Sequence, residues 1–151
     1  MTTTAPLVDP RVIGLAHYAG RAVLETVLAR RGATFQQMVA LRLVAVADGA
    51  LDRDQLTTDV VDALKVAPSE ADRTVAELLA ADLMAAAGAS SVRLTEAGRE
   101  LFDASSAETS AISARIYAGI PDGDRAVAGR VLALVTERAN AELAALTEPN
   151  G

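Results

Sequence analysis

Apolar residues recur at spacings of three and four along most of the chain, which is the period of an amphipathic helix. Asp9-Pro10 can open a first helix that runs to about Arg31. The stripe that we expect this helix to bury consists of Val12, Leu15, Ala16, Ala19, Val23 and Val27. Thr34 can cap a second helix, which extends to about Val46 with its own apolar face. The chain therefore begins with two amphipathic helices.

Two shorter amphipathic segments follow, at residues 52–66 and 68–82. Asp52 can cap the first of them. Pro68 with Ser69 can open the second, because proline at the first helical position loses no hydrogen bond. The corner between the segments, Val66-Ala67-Pro68-Ser69, is tight enough for a helix-turn-helix. The pattern thus predicts this motif, with the fourth helix as its second half.

A short hairpin is predicted after Asp82, where the apolar run 83–87 and the segment 92–94 flank a turn at Gly88–Ser91. Thr95 can then cap a long helix that reaches about Ala118. The segment 119–122, Gly-Ile-Pro-Asp, separates that helix from a last one. A strand that passes directly into a long helix closes the wing of a winged helix. We therefore predict a mainly α fold, a winged helix-turn-helix with a short two-stranded wing.

The composition of the chain limits which classes of function are possible. Half of the 151 residues are apolar, which suits one compact domain or one subunit of an oligomer. The chain has no cysteine, so a disulfide framework and a thiolate metal site are both excluded. Its net charge of −6 disfavours indiscriminate binding to nucleic acid, because Lys and Arg supply most non-specific affinity.

Motifs of catalysis and targeting are missing from the sequence. There is no GxGxxG, no GxxxxGK and no HExxH, and the single histidine cannot assemble a catalytic triad or a metal site unaided. We therefore expect a protein that is not an enzyme and needs no cofactor or metal. The N-terminal residues 1–5 lack the charged and apolar regions of a signal peptide, and no stretch is as apolar as a membrane span. We expect a cytoplasmic protein without a membrane partner.

Three segments carry a resemblance that covers nearly the whole chain. Gly32-Ala33-Thr34-Phe35-Gln36-Gln37, followed by Leu41 and Leu43, lies at the second helix. Residues 73–79, Arg-Thr-Val-Ala-Glu-Leu-Leu, lie in the fourth helix. Residues 94–101, Leu-Thr-Glu-Ala-Gly-Arg-Glu-Leu, are the most specific match. With the order of elements, these segments resemble the MarR family of bacterial winged-helix transcriptional regulators.

The resemblance implies a homodimer. Residues 8–31 and 96–147 would form its helical dimerisation region and residues 34–94 its DNA-binding region, within a single domain of residues 1–151. The fourth helix of each subunit would enter a major groove of a pseudo-palindromic operator, because half-sites one helical turn apart need two recognition helices at a fixed spacing. The implied function is transcriptional regulation, as a repressor that a small-molecule effector can release from DNA.

Four residues of the fourth helix are candidates for the major groove, namely Ser69, Asp72, Arg73 and Thr74. Arg73 matches the family's base-contacting arginine, and a guanidinium can meet the O6 and N7 of guanine bidentately. The alternative for Arg73 is an exposed ion pair with Glu70 or Glu77, three and four positions away. The alternative for Ser69 is a helix cap.

Three further cations, Arg53, Lys65 and Arg93, are candidate DNA contacts in the same region. Arg93 is as well explained as a solvated strand residue. His17 and Tyr18 lie in the first helix, near the place where the family holds small aromatic or carboxylate effectors. Packing or interface hydrogen bonding is the other explanation for His17.

Two departures from the family favour a second function. Residues 51–94 contain four basic and eight acidic side chains, a balance that repels phosphates. The wing tip, Gly88–Ser91, is short and uncharged, whereas wings of the family usually carry an Asp-x-Arg-Arg run. A third departure, separate from these two, is Asp82, which stands where the family usually has glycine. The alternative is therefore a winged-helix protein-protein interaction module that faces a basic partner and binds DNA weakly or not at all.

Overall fold

The computed structural model describes residues 4–149; residues 1–3, which entered the interpretation of the N-terminus, and residues 150–151 lie outside it. Contacts within the chain divide it into two compact units, Met1–Ile112 and Ser113–Gly151. The elements in chain order are α1 (Pro10–Ala29), α2 (Phe35–Val46), β1 (Ala50–Asp52), α3 (Arg53–Leu64), α4 (Pro68–Ala80), β2 (Met84–Ala87), β3 (Ser91–Leu94), α5 (Glu96–Tyr117) and α6 (Asp122–Thr147). The predicted mainly α winged helix-turn-helix is confirmed.

Polar side chains fix where the first three helices begin, as the sequence predicts. Asp9 accepts a hydrogen bond from the amide of Val12 at 2.8 Å, and Pro10 occupies the first helical position. Thr34 and Gln37 form a reciprocal capping box, in which each side chain bonds the other residue's amide. Asp52 accepts from the amide of Gln55 at 3.0 Å. These bonds satisfy amides that have no partner within the helix.

The core of the first unit lies between α2, α3, α4 and the sheet. Its large side chains include Leu41, Leu56, Val75 and Leu78, each with no measurable exposure. Met84 and Val92 reach this core from β2 and β3. The apolar faces that the sequence assigns to α2, α3 and α4 are therefore the faces that pack together.

The prediction of a buried stripe along α1 is wrong for the single chain. Of its six residues only Val27 is buried, while Leu15 is 61% exposed and Ala16 and Ala19 are also exposed. The helical period was identified correctly, but a stripe of this kind needs a partner surface that the first unit does not provide. The helix also ends at Ala29, two residues before Arg31.

The sheet has three antiparallel strands in the order β1-β3-β2. The two predicted strands form the wing, with Met84 opposite Leu94 and Ala87 opposite Ser91. The sequence analysis missed β1, whose three residues pair with β3 from Ala50 opposite Arg93 to Asp52 opposite Ser91. A segment of three residues is too short to show a period of two, so only its pairing reveals it.

The passage from β3 into α5 depends on two small residues. The hydroxyl of Thr95 accepts from the amide of Gly98 at 3.0 Å and donates to the carbonyl of Asp82 at 2.6 Å. A Cβ atom at Gly98 would lie 2.0 Å from the carbonyl oxygen of Leu83, so only glycine fits. Asp82 itself has a φ of 55°, in the left-handed region that aspartate tolerates. This geometry explains why the 94–101 motif contains Thr and Gly.

A carboxylate joins the end of α1 to α5. Glu108 accepts from Arg30 at 2.5 Å and from Arg31 at 2.7 Å. The hydrogen bond from Arg31 is the largest cause that lowers the pKa of the Glu108 carboxyl, and the charges of both arginines lower it further. Glu108 therefore stays ionised to a more acidic pH than an isolated glutamate.

Among the helices of residues 4–149, only α1 is long and apolar enough to cross a membrane when judged by length and composition alone. Its mean hydropathy reaches 1.2, and 11% of the segment is buried. The segment also carries the ion pair of Arg21 with Glu25 at 2.9 Å. Such a helix is weak evidence for membrane insertion, because helices of soluble proteins meet the same criterion.

Candidate nucleic-acid interface

A left-handed residue closes the turn of the helix-turn-helix. Lys65 follows the last residue of α3 with a φ of 55°, and its amide donates to the carbonyl of Val61 at 2.8 Å. Pro68 then begins α4, as predicted. Ser69 is the second residue of this helix and lies exposed, and no side chain caps α4. The cap that was the alternative explanation for Ser69 is therefore not formed.

The fourth helix has one buried and one exposed face. Its buried residues are Ala71, Thr74, Val75 and Leu78. The exposed face carries Ser69, Asp72, Arg73, Ala76 and Glu77. Three of the four residues predicted to face DNA are thus accessible from solvent.

Arg73 is the cation on this face. Its side chain is 67% exposed, and its Nη2 lies 3.8 Å from Oε1 of Glu70. This distance is the longest among the ion pairs of residues 4–149. An exposed and loosely formed pair stabilises a helix only weakly. The guanidinium therefore remains available to another acceptor.

The structure corrects the placement of Thr74. Its side chain is only 3% exposed, because position 74 lies on the same face of α4 as Ala71 and Leu78. The hydroxyl lies 3.1 Å from Oε1 of Gln36 and 3.1 Å from the carbonyl oxygen of Glu70. Thr74 thus connects α4 to α2 and does not face the surface.

Neighbouring helices hold two carboxylates of α4. Asp72 accepts from the hydroxyl of Thr57 in α3 at 2.9 Å. Glu77 accepts from Nε2 of Gln37 in α2 at 3.2 Å. Both donors are neutral side chains, and these hydrogen bonds restrain the positions of the two carboxylates.

The other three cations lie at the edges of the motif. Arg53 is the first residue of α3, and its amide donates to the carbonyl of Ser90 in the wing at 2.8 Å. Lys65 approaches Asp62 with Nζ at 3.2 Å. Arg93 lies exposed on β3 and donates to the carbonyl of Leu94 at 3.3 Å. All three side chains are exposed.

The wing tip is uncharged, as predicted, but the turn is one residue shorter than predicted because Ser91 belongs to β3. The turn between β2 and β3 contains Gly88 with a φ of 83°, and Ala89 and Ser90 are exposed. None of these side chains is charged, so electrostatic contact with a phosphate from this tip is limited to backbone amides and the hydroxyl of Ser90.

His17 and Tyr18 lie exposed on α1, with their ring centroids 5.6 Å apart.

Arg21, three residues after Tyr18, borders a cleft between α1, the first turn of α2 and α4. The cleft has a volume of about 430 Å³, and its lining includes Glu25, Phe35, Glu70, Arg73 and Glu77. The guanidinium of Arg21 lies 4.5 Å from the Phe35 ring centroid. Within residues 4–149, no cluster of His, Asp or Glu side chains could hold a metal ion.

Sequence reasoning missed the residues that support the exposed face of α4, namely Gln36, Gln37 and Thr57. The capping box offered one signal, because a Thr followed by Gln at the third position fixes the direction of the Gln37 side chain. No such local signal identifies Thr57 or Gln36, whose partners are 15 and 38 residues away.

Solved structures of several bacterial regulators share this architecture. A MarR-family transcriptional regulator from Streptomyces coelicolor is 20% identical and has a TM-score of 0.69, with 86% of this chain and 92% of that chain covered. One from Silicibacter pomeroyi is 25% identical, with a TM-score of 0.64 and coverage of 87% and 88%. The chain has the MarR fold.

Another protein with the MarR fold is BpsR of Bordetella bronchiseptica, whose DNA binding is regulated by 6-hydroxynicotinic acid. It is 19% identical, with a TM-score of 0.67, and the match covers 87% of this chain and 99% of that one. No model of a known protein family matches the chain, and no curated protein matches it in sequence. The resemblance drawn from the three sequence segments is thus confirmed in the fold.

Proposed function

We propose that this protein is a transcriptional regulator of the MarR type, a homodimer that binds a pseudo-palindromic operator and acts without catalysis. The observation that carries the proposal is the match of the MarR fold over 86% to 92% of the chain in regulators from several bacteria. The guanidinium of Arg73, which is exposed and only loosely paired with Glu70 on the helix that this fold uses for recognition, supports it further.

Exposed apolar side chains support the dimer. No described residue of α6 is buried, although the helix carries Val127, Val131, Leu132, Leu134, Val135, Leu143 and Leu146. In α1, Leu15 and Tyr18 are 61% and 69% exposed. Monomeric proteins rarely expose large apolar patches, so the many exposed apolar side chains of α6 favour a partner surface. Pairing of two chains through the terminal helices would cover these side chains.

On DNA, the N-terminal half of α4 would lie in the major groove. Arg73 would donate to a guanine, Asp72 and Ser69 would lie beside it, and Arg53, Lys65 and Arg93 would contact phosphates. Because Thr74 is buried, it would hold α4 in place and make no base contact. The operator would then consist of two half-sites one helical turn apart.

Regulation would follow from a small molecule that changes the spacing of the two recognition helices. The regulation of BpsR by 6-hydroxynicotinic acid supports an aromatic acid as the class of effector. On this chain, His17 and Tyr18 would contact it from α1. A bound effector that favours a spacing unfit for the operator would release the protein from DNA, which is repression relieved by population shift. Such a regulator would work in the cytoplasm.

Substitution of Arg73 tests the recognition helix. The operator is first selected from random DNA with the wild-type dimer. Arg73→Ala should then weaken binding to the selected site by about 1–3 kcal/mol, and binding to unrelated DNA much less. An unchanged affinity and footprint would reject this role. Arg130→Ala, a change on the exposed surface of α6, serves as the control for loss of one positive charge.

Charge supports one second candidate, a winged-helix module that binds a basic protein. The eight carboxylates of residues 51–94 outnumber the four cations, and the wing tip is uncharged. Under this hypothesis the acidic surface of α3 and α4 would face the partner. Absence of DNA binding at low salt, together with binding of a basic peptide that Asp72→Asn weakens, would favour this candidate over the first.

A further inference from the structure

Both polar atoms of the Gln37 side-chain amide form hydrogen bonds. Its Oε1 accepts from the amide of Thr34 at 3.1 Å, which closes the capping box of α2. Its Nε2 donates to Oε2 of Glu77 at 3.2 Å. Since the cap fixes the first end of the amide, the second end is aimed at α4.

Glu77 is a potential competitor for Arg73. The two residues are four positions apart on one face of α4, the spacing at which an arginine and a glutamate form an ion pair. Among residues 4–149, however, Arg73 forms an ion pair with Glu70 at 3.8 Å and none with Glu77. The carboxylate of Glu77 is engaged by Gln37 instead.

We propose that Gln37 is a positioning residue for recognition: it holds Glu77 away from Arg73 and so keeps the guanidinium free for a base. This inference rests on the proposed function, since it assigns Gln37 a part in DNA binding through α4. Asp72 does not need the same restraint, because neighbouring residues on a helix do not face each other. The hydrogen bond from Gln37 to Glu77 therefore leaves Glu70 as the one carboxylate of residues 4–149 paired with Arg73, at 3.8 Å.

The experiment is a double-mutant cycle in which the tested substitution changes no charge. Operator affinity is measured for the wild type, Gln37→Met, Glu77→Gln and the double variant. Met keeps the length of the side chain but loses both hydrogen bonds. With Glu77 present, Gln37→Met should weaken binding about twofold for each subunit and about fourfold for a dimer, the effect of an exposed ion pair formed at each Arg73. When Gln37→Met is added to the Glu77→Gln variant, it should have no effect on affinity.

Two controls separate this role from a structural one. Thr34→Ala removes the cap of α2 but leaves the amide that contacts Glu77 in place, so it should lower thermal stability without the Glu77-dependent loss of affinity. In the free protein, NMR relaxation of the Arg73 side-chain N–H should show greater order after Gln37→Met, because the guanidinium gains a partner.

The outcomes are distinguishable. If Arg73→Ala leaves operator affinity unchanged, the proposed function fails, and the inference with it. If Arg73→Ala weakens binding but Gln37→Met has the same effect in the wild type and in the Glu77→Gln variant, only the inference is overturned. Unchanged order of Arg73 in the free Gln37→Met protein would overturn it as well.

Discussion

Apolar side chains form a buried core in the winged-helix region but are exposed on the last helix. Leu41, Leu56 and Val75 have no measurable exposure, because α2, α3, α4 and the sheet cover one another. On α6, Leu132 and Leu134 are 40% and 44% exposed. A helix of 26 residues, none of which is buried, gains little stability from packing within the single chain. One region thus folds on its own contacts, whereas under the proposed function the other would be covered by a second copy of the chain.

The largest expected effect is the loss of dimerisation when charges are placed on α6. In the double variant Leu132→Glu/Val135→Glu, two charges would be placed on one face of the helix, three positions apart. If that face is buried in a dimer, the dissociation constant should rise at least 100-fold, since a buried unpaired charge costs about 3–5 kcal/mol. Sedimentation velocity measures the change. Ala133→Glu, on a different face of α6, is the control. If the double variant still sediments as the wild type does, this face of α6 is not part of a dimer interface.

The next effect tests the self-contained core. Leu41→Ala should lower the free energy of unfolding by about 2–5 kcal/mol, the range for removal of a fully buried leucine. Urea unfolding followed by circular dichroism measures the loss. For comparison, Val46→Ala changes a side chain of α2 that is 74% exposed and should cost less than about 0.5 kcal/mol. Equal losses at the two positions would contradict the distinction between the buried core and the exposed surface.

The smallest effect concerns the carboxylate that joins α1 to α5. The pKa of Glu108 is lower in the folded protein than its ordinary value, so its contribution to stability is present above that ordinary value and is lost as the pH falls through the lowered one. Glu108→Gln should therefore reduce stability near neutral pH and make it less dependent on pH in the acidic range. Thermal melts across that range measure it, and parallel curves for both proteins would show that the ion pairs contribute nothing.

The sequence predicted the local features of the fold but not those that depend on contacts between distant segments. Helix starts were predictable because Asp9, Thr34 and Asp52 satisfy nearby amides, a local effect. The stripe on α1 was predictable as a pattern but not as a buried surface, because burial depends on what lies opposite it. The strand β1 was missed, since its only evidence is the pairing with β3.

The candidate site shows the same limit. Arg73 could be proposed from its position in the fourth helix, and its exposure agrees with that role. The inward direction of Thr74 depends on which face of α4 packs against α2, and the restraint of Glu77 depends on a residue 40 positions away. Such contacts leave no trace in local periodicity, so they require the folded chain.

The most direct test of DNA recognition is the salt dependence of operator affinity, measured by fluorescence anisotropy between about 50 mM and 200 mM salt. Residues 51–94 of each subunit carry four cations, which allow up to eight phosphate or base contacts in a dimer, namely those of Arg53, Lys65, Arg73 and Arg93. The logarithm of the association constant should therefore fall steeply with the logarithm of salt concentration, with a slope down to about −7. Absence of binding even at the lowest salt, or a slope near zero, would contradict the account.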